Sequence, residues 1–260
     1  MTVNPSSRSS AERGEPASSA RPDAHGPDVL RLSQRRAAGA LLIAGPAIFL
    51  LAEFIAAAAW TDPPYSYTYD FISNLGVHGP STLFGQYMYS PLAWVMNTGF
   101  ILFGITILAG VALLRGLSGR RRWGTLIPAT LLAVGGILIG LFPGSGEALQ
   151  DGTGDYHSMG AFAGFIGANV LATMLGSMRL RVGFTPAIGR ALTTAGVIGL
   201  LSTALYLLLI VSSAGDSTIG VIGLIERGAT HPFLIGLLCA GASIWMRRPL
   251  DRPAATGQMP

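Results

Sequence analysis

The sequence predicts an all-α integral membrane bundle of six transmembrane helices, with a short outward-facing amphipathic loop helix between the first two. Three observations carry this expectation. Half of the 260 residues are hydrophobic and only 12% are charged, against about 25% charged in an ordinary soluble domain. Six apolar stretches are each long enough to cross a hydrocarbon core of ~30 Å at about 1.5 Å per residue. The connections between them alternate sharply in charge.

Residues 1–36 are rich in Ser, Pro, Arg and Ala and lack hydrophobic periodicity. Such a composition cannot offset the entropy of ordering, so a disordered cytoplasmic tail is expected. Arg31, Arg35 and Arg36 stand directly before the first span, 37–60. A basic stretch before an apolar one resembles a signal peptide, and Arg35-Arg36 a twin-arginine signal, but the run is long enough to span and an uncleaved helix is expected. Further spans are expected at 91–115, 124–142, 158–178, 191–213 and 219–246, with a cytoplasmic tail at 247–260. Small residues recur within them, Gly135, Gly136 and Gly140 in the third, Gly160, Gly164 and Gly167 in the fourth. That spacing predicts faces on which helix backbones approach closely.

All 17 basic residues are arginine. They gather before the first span and after the second (Arg115, Arg120, Arg121, Arg122), fourth (Arg179, Arg181, Arg190) and sixth (Arg247, Arg248, Arg252). The connections after the first and third spans hold Asp62, Asp70, Glu147, Asp151 and Asp155 instead, with no basic residue. By the positive-inside rule, both termini of a multi-pass cell-membrane protein would then be cytoplasmic, with the acidic loops outside. Because the arginines flank apolar segments and form no single soluble face, nucleic acid is not expected as a partner. The single Cys239 gives neither a disulfide nor a zinc-finger spacing.

The first acidic connection contains Tyr65–Pro80, YSYTYDFISNLGVHGP. Read as a helix, it places Ser66, Asp70, Ser73 and Asn74 on one face and Phe71, Ile72 and Leu75 on the other, with Gly76 as a natural stop. The polar face needs something to point at, and ionisable residues within the spans supply it, since their burial in a membrane is costly. Glu53, Asn97 and the pair Glu226-Arg227 each lie about 10 Å down their helices from the outer end. His231 follows Arg227 on the same face, and His157 opens the fourth span.

The candidate catalytic residues are therefore Asp70, Ser73, His157, Glu226 and His231. Arg227, Asn97, Glu53 and Asn74 are the candidate binding residues. Asp70, Glu53, Glu226 and the two histidines are suitable metal ligands by type, but no HExxH, HxxxH or paired-cysteine motif arranges them. Ser73 sits in no G-x-S-x-G elbow. Each residue also has a structural reading: Arg227 paired with Glu53 or Asp70, Asn97 as interhelical glue, Asp70, Ser73 and Asn74 as caps, and the surrounding Trp and Tyr residues as an interfacial belt.

Tyr69-Asp70-Phe71-Ile72-Ser73-Asn74-Leu75-Gly76, then Asn97, Gly140-Leu141-Phe142-Pro143, His157 and Glu226-Arg227 together resemble the domain-of-unknown-function 998 family of prokaryotic membrane proteins. The resemblance covers roughly residues 37–246 and implies a bundle of about six spans without an established activity. That family is distantly similar to eukaryotic multispan proteins of the DRAM and Frag type, some linked to lipid remodelling. Asn74 stands where an acidic residue is common in the family, so a mechanism needing a carboxylate there is not carried over. Three functions stay open: a protein binding or acting on membrane lipid head groups, a small-molecule or proton-coupled transporter, and a non-catalytic membrane component. The sequence names no cofactor, and membrane lipids are the expected partners.

Overall fold

The computed structural model describes residues 26–212 and 220–246, with side chains from residue 32 onward. Of the disordered tail expected at 1–36, residues 1–25 lie outside the described residues, as do 213–219 and the tail expected at 247–260, whereas residues 26–36 are helical. Helix α1 runs Gly26–Ala59, α2 Ala93–Leu113 and α3 Gly119–Leu141; a short α4, Gly146–Asp151, precedes α5, Gly154–Ser177. After a single turn, α6 at Arg179–Val182, come α7, Pro186–Ser212, and α8, Ile222–Met246. Six of these are long and apolar enough to cross a membrane. Helices α1 and α3 start upstream of the apolar stretches, taking in the arginines before them. Arginine is a good helix former, so the helix outlasts the hydrophobic segment.

The six long helices form a closed ring. Each packs on its sequence neighbour, and α8 returns to α1. Phe49 of α1 meets Phe100 and Phe103 of α2 edge-on at 5.6 and 5.4 Å, and Phe103 stacks on Phe233 of α8 at 6.1 Å. Outside the ring, Leu51, Phe54, Leu201 and Leu208 are exposed, as expected where lipid is the solvent. The expected glycine faces form. A Cβ on Gly135 of α3 would come within 2.6 Å of the Gly160 carbonyl of α5, so two backbones touch directly there.

One end of the ring is closed by the segment between α1 and α2. The helix expected over Tyr65–Pro80 contracts to a single 3-10 turn, Ser73–Gly76. Upstream of it, local backbone donors leave the helical pattern for side chains: Ser66 N–H goes to the Asp70 carboxylate (2.7 Å) and Ile72 N–H to Glu226 (2.5 Å). Phe71, Ile72 and Leu75 are buried and Asn74 with them, whereas Ser66, Asp70 and Ser73 of the expected polar face are only partly covered. A hairpin follows, β1 Ser81–Leu83 antiparallel to β2 Gln86–Met88. Its two turn residues, Phe84 and Gly85, have φ of 51° and 71°, the positive values that tight hairpin turns demand. Three-residue strands leave no periodicity to read, and only Gly85 announced the turn.

Candidate functional site

The candidate residues separate into two neighbouring groups under this cap. The first is a clamp centred on Arg227 of α8. Its Nε donates to Glu53 Oε1 of α1 at 3.1 Å, and Nη2 lies 3.0 Å from the same oxygen. Nη1 donates to the carbonyls of Tyr67 (2.7 Å), Asp70 (3.1 Å) and Gly223 (3.1 Å), while Nη2 also donates to Tyr65 Oη (2.5 Å). The guanidinium further lies over the rings of Tyr67 and Tyr65, at 4.7 and 5.5 Å. Glu53 binds His231 Nε2 through its other oxygen at 2.9 Å.

Glu53 is only 2% and Arg227 5% exposed. Their desolvation is therefore offset by pairing and hydrogen bonds, as a buried ion pair requires. Of the two partners expected for Arg227, Glu53 provides its carboxylate, whereas Asp70 provides only its backbone carbonyl. All three guanidinium nitrogens are engaged within the protein, which fastens the cap to α1 and α8.

Asn97 and Asn74 act in the same sense. Asn97 Nδ2 of α2 donates to the Gly76 carbonyl (2.9 Å), so Asn97 ties helix to cap rather than helix to helix. Asn74 Nδ2 donates to Gln86 Oε1 (2.6 Å), and Gln86 Nε2 to the Tyr69 carbonyl (2.5 Å). The Asp70 carboxylate turns back onto Ser66 and lines neither of the cavities described next. Burial raises its pKa, against the opposing effects of the Ser66 amide and Arg227. Burial likewise raises the Tyr65 phenol above its ordinary 10.0, outweighing Arg227, and keeps it a neutral donor to the Phe71 carbonyl.

The second group lines two adjoining cavities. The deeper, about 50 Å³, is walled by Phe49, Phe100, Phe103, Phe165 and Phe233. The outer, about 120 Å³, is bounded by Phe84 of the hairpin turn, Leu149 of α4, Phe162 of α5 and Tyr206 of α7. Ser73, His157, Ala161 and Glu226 line both. His157 is oriented by a 2.8 Å hydrogen bond between Nδ1 and the Phe142 carbonyl, which makes Nδ1 the protonated nitrogen and leaves Nε2 as an acceptor. Glu226 is 5% exposed and accepts the amides of Ile72 and Ser73. His231, expected on the face of Arg227, belongs with it to the clamp and lines neither cavity.

Sequence reasoning missed four residues of this architecture. Tyr65 and Trp60, assigned to an interfacial belt, turn inward, and their rings meet at 5.4 Å, tilted by 45°. Gln86 follows a turn and carries no motif. Asn169 of α5, buried, donates to the Ala229 carbonyl of α8 at 2.8 Å; its position inside an apolar span was the available signal. Among the described residues, no three of His, Cys, Asp and Glu cluster as a metal site would require.

Neither curated proteins nor solved structures give a match. Residues 43–243 match the family described as "Protein of unknown function (DUF998)", an interval that takes in the cap, the clamp and every residue lining both cavities. The chain is therefore a multi-pass membrane protein of the DUF998 family.

Proposed function

We propose that this protein binds an amphiphilic membrane lipid at the capped end of the bundle, the head group lying between Ser73, His157 and Glu226. One observation carries the reading: these three polar residues line both cavities, so a polar rim leads directly into a phenylalanine-walled pocket. Such a gradient suits a molecule with one wet and one apolar end. The head group is of the hydroxyl or amine type. Neither cavity is lined by an arginine, and Arg227, expected to hold a phosphate or carboxylate, spends its donors on the cap. The arginine distribution supports a cap on the outer face, with both termini cytoplasmic.

The test is native mass spectrometry of the purified protein with its co-purifying lipids. Ala161→Phe, which fills both cavities, is expected to strip the bound lipid, whereas Leu201→Phe on the lipid-facing side leaves it in place. Equal lipid occupancy in wild type and Ala161→Phe defeats the reading. Prolonged incubation of wild type, Ser73→Ala and His157→Ala with that lipid then separates binding from processing. Head-group cleavage or transfer lost in both variants makes the protein an enzyme.

A further inference from the structure

The opposite end of the ring carries a cavity unrelated to the cap. It measures about 230 Å³ and opens between Arg35 of α1 and Arg115 just beyond α2, with Leu32, Leu113, Val182 and Ile244 as an apolar wall. Arg115 is held in place from two sides. Its Nε donates to Gln34 Oε1 at 2.7 Å, joined by Nη2. The following Gly116, at φ 86°, packs so tightly on the turn of α6 that a Cβ would stand 2.2 Å from the Arg181 carbonyl. Gln34 is neutral, so this bond orients the arginine without cancelling its charge.

Charge and depth both identify the occupant. Every carboxylate whose side chain is described (Glu53, Asp62, Asp70, Glu147, Asp151, Asp155 and Glu226) lies toward the capped end. The cavity end instead gathers Arg35, Arg36, Arg115, Arg120, Arg121, Arg122, Arg179, Arg181 and Arg190. At the same end, Trp123 in the first turns of α3 and Trp245 in the last turn of α8 are exposed, at 65% and 49%. Exposed tryptophans near helix ends mark the head-group level of a bilayer, so the two arginines stand where lipid phosphates lie. We propose that this cavity binds an anionic phospholipid, its phosphodiester between Arg35 and Arg115 and an acyl chain along the Leu32–Ile244 wall. Guanidinium groups suit that ligand because they offer several fixed donors to phosphate oxygens.

The full-length protein in neutral detergent is titrated with phosphatidylglycerol, phosphatidylcholine and inorganic phosphate, and read by native mass spectrometry. Wild type is expected to prefer phosphatidylglycerol. Arg35→Gln with Arg115→Gln should lose roughly tenfold of that preference, whereas Arg120→Gln, at the same end but outside the cavity, keeps it. If the glutamine pair does not fold, Leu32→Trp, which fills the cavity and spares both arginines, is expected to lose the binding instead. Equal binding of the two lipids by wild type, or undiminished preference in the folded cavity variants, overturns the proposal. So does displacement of the lipid by millimolar phosphate, which would make a free anion the ligand. None of these outcomes bears on the lipid site under the cap.

Discussion

Arg227 shows how one residue's role is decided by what its side chain reaches. Six polar contacts at five partner residues consume its donors, and His231 shares Glu53 with it. Breaking a buried pair by removing one partner commonly costs about 3–5 kcal/mol, because the other charge remains buried without compensation. Glu53→Gln is accordingly expected to lower unfolding stability in detergent by about that amount. In an Arg227→Met background the same change should cost much less, since no guanidinium is left stranded. A double-mutant cycle on unfolding free energies checks this, and strictly additive effects would rule out the coupling. Sequence exposed Glu53 and Arg227 as candidates, because charges in apolar spans are conspicuous. It did not expose Tyr65, whose type is ordinary at a membrane interface.

At the scale of elements, the cap is not a helix but a set of turns held by side chains from elsewhere. Helix periodicity in Tyr65–Pro80 was real, yet Glu226 and Gln86 compete for the backbone groups a helix would use. Gly223 of α8 allows this contact: a Cβ there would stand 2.2 Å from the Asp70 carbonyl. The hairpin is fastened separately to α4, where Ser81 Oγ donates to Glu147 Oε2 at 2.7 Å and accepts the Gly146 amide at 2.9 Å. The Ser81 hydroxyl is the main cause holding Glu147 below its ordinary pKa of 4.5. A lowered folded-state pKa gives stabilisation that is fully present above 4.5 and lost as pH falls through the lowered value. Acidification from about pH 6 to pH 3 should therefore reduce the melting midpoint, and Ser81→Ala should flatten that dependence. Identical pH profiles for wild type and Ser81→Ala would show that the contact does not contribute. Glu147 is exposed, so the effect is expected to be small.

For the whole molecule, six crossings return the chain to the side on which it started. The described ends of α1 and α8 therefore share one side of the bilayer, and α4 with the hairpin lies on the other. In a Cys239→Ala background, Asp151→Cys and Arg120→Cys in intact cells give the test. A membrane-impermeant thiol reagent should label the first and spare the second until the membrane is opened. The reverse pattern would invert the orientation read from the arginines. The two proposed lipid sites then face opposite leaflets, one among hydroxyl, imidazole and carboxylate groups and the other between two arginines.

The sequence by itself determined the spans, their order and the charge difference between the two ends, because hydropathy and arginine placement act over contiguous residues. It also marked Glu53, Asp70, Arg227 and His231 of the clamp, but not Tyr65, Tyr67 or Gly223. The grouping of those members was decided only by tertiary structure. Closing α8 onto α1 brings Arg227 to Glu53 across 174 positions of sequence, and Glu226, one residue earlier and about 100° around the helix, turns instead to the cavities with Ser73 and His157. Adjacent residues on one helix thus serve two different structures, and only the ring's closure specifies which residue goes where.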